Sequence, residues 1–166
     1  MRTIGYDAVM SAEAMAKYRI ESADLDDIWA QSDFITFHTP LNDQTRDLIN
    51  QQTLAKCKDG VFIVNCARGG IVNEEALLEA LDSGKVRGAA LDVFSSEPPT
   101  GVAKKLVEHP AVVSTPHLGA STAEAQTNVV RDPSLCSVGC MRACECSHIG
   151  VGCIGARHRT VCCRRA

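Results

Sequence analysis

Several things are missing from this chain, and each absence narrows what it can be. No apolar run approaches the roughly 18–20 residues that a membrane-spanning helix needs. The opening "MRTIGYDAVM" lacks the long apolar stretch and small-residue cleavage site of a secretory leader, so a cytoplasmic protein is the expectation. Neither sign of charge dominates: 17 Lys and Arg face 20 Asp and Glu, a net −3, which offers no broad basic surface to nucleic acid or acidic membranes. Internal repeats and nucleic-acid motifs are absent as well. Aromatic residues are scarce at 4%, yet the apolar fraction of 45% is ordinary for a globular protein. A chain of 166 residues has room for one domain with a proper core.

Lysine is absent from residues 131–166, and that local absence marks a boundary. Residues 1–130 hold 11 Lys and Arg against 18 Asp and Glu, a balance of −7. Residues 131–166 hold six Arg against Asp132 and Glu145, a balance of +4, and seven of the nine cysteines. The division expected is a folded unit over 1–130 and a separate Cys- and Arg-rich tail over 131–166. The tail, "RDPSLCSVGCMRACECSHIGVGCIGARHRTVCCRRA", has no sustained helical or alternating period. Its spacings also lack the paired C-x2-C of common zinc sites, so no metal ligands are assigned. A metal module using His148 and His158 is the alternative, and a disulfide framework suits a reducing compartment poorly. An irregular, poorly packed tail is expected.

What is present before residue 130 is a rhythm. "RTIGYD", "DFITFHTP", "VFIVN", "GAALDVF" and "AVVST" read as strands, with Pro40 stopping the second. Between them lie helical segments: "SAEAMAKY" capped by Ser11, "DLDDIWAQS" capped by Asp24, "NQQTLAKCKDG" closed by Lys58 and Gly60, and "NEEALLEALDSG". The last has Asn73 as its cap, two glutamates in its positive first turn and Gly84 at its end. "STAEAQTNVV" opens with Ser121 and Glu124 at capping-box spacing. Strand and helix alternating in this way predict an α/β fold with a doubly wound parallel sheet. Ligands of such sheets bind beyond the carboxyl ends of the strands.

That rule gathers a set of polar residues onto one rim: Asp7, His38 and Thr39, Cys66 to Arg68, Asp92 to Glu97, and His117. Arg68 follows a buried apolar run, where a permanent charge is costly unless an anion meets it. The two glycines behind it permit close backbone approach to a ligand. A structural ion pair with a nearby carboxylate is its plainer reading. His117, in "STPHLGAST", is placed as a general acid/base or as a hydrogen-bonded loop histidine. Glu97, before Pro98 and Pro99, is its potential partner or a solvated loop acid. Asp7 resembles an acid that takes ribose hydroxyls, or is an exposed turn residue. His38 reads as structural. Taken together, an arginine fork for a carboxylate, a histidine for a proton and a glutamate to orient it describe oxidation of a 2-hydroxy acid by a nicotinamide.

The stretches "TIGYD", "DFITFHTPL", "GVFIVNCARGGIVNEEALLEAL", "GAALDVFSSEPP" and "STPHLGASTAEAQ" resemble the D-isomer-specific 2-hydroxyacid dehydrogenases over residues 2–128. The runs "NCARGG" and "HLGAST" are more similar to the phosphoglycerate branch than to glyoxylate or hydroxypyruvate reductases. The resemblance implies a Rossmann-like NAD-binding domain, NAD as cofactor, 3-phosphoglycerate as the small-molecule substrate and association into homo-oligomers. It also implies Arg68, Glu97 and His117 as the catalytic set. The cofactor-binding set it implies is Asp7, Thr39, Cys66, Ala67, Arg68, Asp92, His117, Gly119 and Ala120. The family's glycine-rich phosphate turn does not occur ahead of Asp7, so a domain lacking its first βα unit is expected. Cofactor affinity should then be weak and the sheet edges bare. A catalytically inactive subunit acting through association is the alternative function.

Overall fold

The computed structural model describes residues 2–118 and the backbone of 160–165. In chain order the elements are β1 (Arg2–Asp7), α1 (Ala12–Ala16), β2 (Glu21–Ser22), α2 (Leu25–Gln31), β3 (Phe34–His38) and α3 (Gln51–Lys56). They continue with β4 (Val61–Asn65), α4 (Glu74–Asp82), β5 (Val86–Leu91), α5 (Val102–Glu108), β6 (Val112–Ser114) and β7 (Thr160–Arg165). One sheet holds all seven strands in the order β2-β1-β7-β3-β4-β5-β6. β1 and β2 pair parallel, as do β3 through β6, while β7 runs antiparallel to both of its neighbours.

The helix starts follow the sequence signals. Ser11 accepts from the Ala14 N–H, Asn73 accepts from the Ala76 N–H, and Asn50 forms a reciprocal capping box with Thr53. Asp24 stands at the start of α2 without a side-chain cap bond. The core lies on one face of the sheet. Ile4, Ile35, Phe37, Ile63 and Leu91 pack there against Ile28, Trp29, Leu54, Leu77 and Leu106 of α2 to α5. Each such side chain contributes about 1.5–3 kcal/mol on leaving water. Met15 and Ile20 form a separate small cluster around α1. The chain steps one way from β1 to β2 and the other way from β3 onward, so right-handed connections put α1 across the sheet from α2–α5. The reversal between β1 and β3 is where a doubly wound sheet binds its ligand.

Three findings differ from the sequence reading. The two-residue strand β2 and the helix α5 had not been expected. α5 starts at Gly101, with φ 57° and no side-chain cap, so the usual starting signal is missing. The tail is corrected at its far end, where Thr160–Arg165 form a strand between β1 and β3 in place of irregular chain. The cause is backbone hydrogen bonding: the facing edges of β1 and β3 present rows of donors and acceptors that must be satisfied. β7 supplies six residues across from β1 and five across from β3. The expected bare edges are thereby covered, and the sheet is mixed at this one position. The boundary near residue 130, the helix expected from Ser121 and the cysteines from Cys136 to Cys153 lie outside the described residues.

Candidate active site

Arg68 is positioned by the residue that ends β4. Asn65 is buried, its Nδ2 donates to the Arg68 carbonyl at 2.9 Å, and its Oδ1 accepts from the Ala67 N–H at 3.1 Å. One side chain thus closes the Asn65–Arg68 turn in the manner of an Asx turn. The exposed Arg68 guanidinium donates to the Ala67 carbonyl at 2.6 Å. Among the described residues no carboxylate pairs with it. Among those residues the structural ion pair is not made, and the fork is exposed beyond a buried strand. Gly69 follows, and its α-carbon lies so close to the next loop that an added Cβ would stand 1.9 Å from the Phe94 carbonyl oxygen.

Two strands further on, His117 and Glu97 meet. His117 Nδ1 lies 2.8 Å from Glu97 Oε2, joining the loop after β6 to the loop after β5. The Glu97 carboxyl is held below its ordinary 4.5, first by this hydrogen bond and then by the Phe94 N–H. An ionised glutamate only accepts, so Nδ1 is the donor. His117 has φ 54°, a left-handed backbone that costs a non-glycine residue energy and recurs at functional sites. The loop is held from below by Asp92, which is buried. Its Oδ1 accepts from the Leu118 N–H at 2.9 Å and from the Thr115 hydroxyl. Asp92, expected beside a nicotinamide, here anchors the strand-end turn that carries His117.

The remaining expected residues distribute along the same carboxyl edge. Asp7 ends β1, and its Oδ1 accepts from the Val9 and Met10 N–H groups at 2.8 and 3.0 Å, an anchored acid rather than a loose one. Thr39 follows β3 and is buried, and among the described residues its hydroxyl has no hydrogen-bond partner. A buried hydroxyl with unused capacity at a ligand-binding edge fits a cofactor hydroxyl or amide. Cys66 and Ala67 are half-buried in the turn before Arg68. Gly119 and Ala120 lie outside the described residues. His38 proves different in kind: its Nε2 lies 3.1 Å from the Thr36 hydroxyl, and burial pushes its imidazole from 6.5 down to about 4. It stays neutral at ordinary pH. Sequence reasoning missed Asn65 and Thr115; an asparagine ending a buried apolar strand was the available signal for the first.

The residues present fit a dinucleotide along this edge, with Asp7, Thr39, the Cys66–Ala67 turn and Asp92 on successive strand ends. The fit is incomplete at the switch point. There Thr160, the first residue of β7, stands opposite both Asp7 and His38, and an antiparallel strand in that slot leads no helix N-terminus toward the carboxyl edge. Among the described residues no group of three His, Cys, Asp or Glu could hold a metal ion. No helix there is long and apolar enough to cross a membrane.

Comparison with known proteins agrees with this layout. Residues 1–119 match the family profile of the D-isomer specific 2-hydroxyacid dehydrogenase, NAD binding domain. The chain is 58% identical over 127 residues to D-3-phosphoglycerate dehydrogenase of Pongo abelii, covering 76% of this chain and 24% of that protein. It is 52% identical over 130 residues to hydroxypyruvate reductase of Thermotoga maritima, covering 78% of this chain and 42% of that protein. Among solved structures, D-lactate dehydrogenase from Aquifex aeolicus, in complex with NAD and lactic acid, superposes with a TM-score of 0.72 at 28% identity, over 80% of this chain and 44% of that one. This chain therefore spans about a quarter of the length of its phosphoglycerate-type relative, and it belongs to the D-isomer specific 2-hydroxyacid dehydrogenases through their NAD-binding domain.

Proposed function

We propose that this domain serves NAD-dependent oxidation of a small 2-hydroxy acid, with 3-phosphoglycerate as the substrate. The observation that carries the reading is the His117–Glu97 pair, on the same sheet edge as an Arg68 fork that no carboxylate among the described residues neutralises. The guanidinium offers two parallel donors to the substrate carboxylate. With Nδ1 committed to Glu97, Nε2 is the nitrogen that exchanges a proton with the substrate oxygen. The glutamate stabilises the imidazolium formed as that proton arrives. When bound, NAD supplies the hydride acceptor. Asp7 favours NAD over its phosphorylated form, since a carboxylate repels a 2′-phosphate. The phosphoglycerate choice rests on the likeness to the Pongo abelii protein.

Titration of the purified chain with NADH and NADPH, followed by nucleotide fluorescence, tests the cofactor side. The expected result is saturable NADH binding weaker than micromolar, because no helix N-terminus among the described residues stands at the switch point to cradle the pyrophosphate. NADH should be preferred by roughly tenfold, about 1.4 kcal/mol, and Asp7→Asn should erase the preference. No saturable binding, or equal affinities in the parent chain, removes this reading. The substrate side is read as NADH consumption with 3-phosphohydroxypyruvate, glyoxylate and hydroxypyruvate compared; fastest turnover with either of the last two shifts the assignment to a reductase. Self-association belongs to the same reading. Val113 on edge strand β6 is 69% exposed, and sedimentation velocity should show a dimer or larger species that an aspartate at that position weakens.

A further inference from the structure

We infer that Glu74 is a positioning residue, whose carboxylate ties the loop bearing Glu97 to the helix that begins just after Arg68. The inference rests on the dehydrogenase reading for its purpose, and on three structural observations for its content. First, α4 does not need Glu74 as a cap: Asn73 already accepts from the Ala76 N–H, and the exposed Glu75 already places an acid in the first turn. Second, Glu74 turns away from its own helix. Its Oε1 accepts from both the Ser95 N–H and the Ser95 hydroxyl, each at 2.7 Å. Hydrogen bonds to an ionised acceptor are the stronger kind. Third, residues 95–100 have few other restraints. Ser96 and Thr100 bond to each other within the loop. Among the described residues, Glu74 and His117 are the two side chains from outside that hydrogen-bond it.

The geometry makes Glu74 half of a clamp. Gly69 lies directly against the Phe94 carbonyl on one side, and one residue further along Ser95 is gripped by Glu74 on the other. The loop carrying the glutamate is thus held at two successive residues, by the turn that follows Arg68 and by the first residue of α4. Without the carboxylate, residues 95–97 would swing on the Phe94 anchor, and the Glu97 bond to His117 would lengthen. A misplacement on this scale is enough to lower a reaction rate without touching any reacting group.

The test needs neither turnover nor cofactor, so it stands or falls separately from the dehydrogenase reading. Amide exchange at Ser95 and the carboxyl carbon resonance of Glu97 are followed by NMR in the parent chain, Glu74→Gln and Glu74→Ala. In Glu74→Ala the Ser95 amide should exchange about tenfold faster or more. The Glu97 titration should move upward, toward its ordinary value, as its bond to His117 loosens. Glu74→Gln keeps an acceptor oxygen and should stay near the parent on both readouts, which a general loss of helix stability would not produce. Ser95→Ala removes one of the two donors at an exposed position, and should displace the Glu97 titration in the same direction by less. An unmoved Glu97 titration in both alanine variants overturns the inference.

Discussion

Gly69→Ala should destabilise the chain by about 3 kcal/mol or more, the upper end of what overpacking costs, and should loosen the candidate site in the same stroke. The added Cβ would stand 1.9 Å from the Phe94 oxygen, 2.3 Å from its carbonyl carbon and 2.9 Å from the Ser95 nitrogen. All three atoms are backbone, so no side-chain rotation relieves the contact. The loop after β5 must move outward, and it carries Glu97. The matching control is Gly84→Ala, where φ is 76° but nothing lies within 4 Å of the added atom. There the cost is conformational only, about 1–2 kcal/mol. Urea denaturation of both variants separates the two causes. If Gly69→Ala proves no more harmful than Gly84→Ala, the close approach of the two loops is not what fixes this region. The same variant should also disturb the Glu97–His117 pair, which Gly84→Ala, at the far end of α4, should leave alone.

How much of this was legible in the sequence depends on the range of the interaction involved. Strands such as Val61–Asn65 and the helix from Glu74 were readable because their signals are local: an unbroken apolar run, a capping asparagine, a terminating glycine. The carboxyl-edge rule then placed Arg68, Glu97 and His117 on neighbouring strand ends before any distance was known. What escaped was set by partners far away in the chain. β2 is two residues paired to β1, and β7 is a strand because two open ladders flank it, a fact that no window of six residues contains. α5 escaped for the opposite reason, having a glycine where a capping side chain would announce it. For Asp92 the family resemblance implied a cofactor contact, and nothing local in the sequence pointed to a second task. Its bonds to Leu118 and Thr115 span more than 20 residues and show that it also supports the His117 turn. Side chains that touch a ligand show themselves by type and position, whereas the groups that aim them become visible only in three dimensions.

His38 gives the second large effect, in the dependence of stability on pH. Its ring sits in β3 beside the Thr36 hydroxyl, and burial lowers its imidazole from 6.5 to about 4. The unfolded chain binds a proton near 6.5, whereas the folded chain resists it until about 4. Stability from this group is therefore fully present above 6.5, and it falls away as the pH drops from 6.5 through 4. Integrated over that window the loss is about 3 kcal/mol, at 1.36 kcal/mol per unit. The Glu97 carboxyl, also held low, adds its own loss only below its ordinary 4.5, so most of the His38 window is separate from it. Urea midpoints measured between pH 7.5 and 4.5 should show the decline in the parent chain. In His38→Gln, which keeps a polar group near Thr36 but does not titrate, the decline should be much shallower. Equal slopes in the two proteins would mean that some other group governs acid unfolding and that folding does not shift the His38 imidazole. A shallow slope in the variant would instead identify the buried His38 ring as the group whose protonation drives acid unfolding.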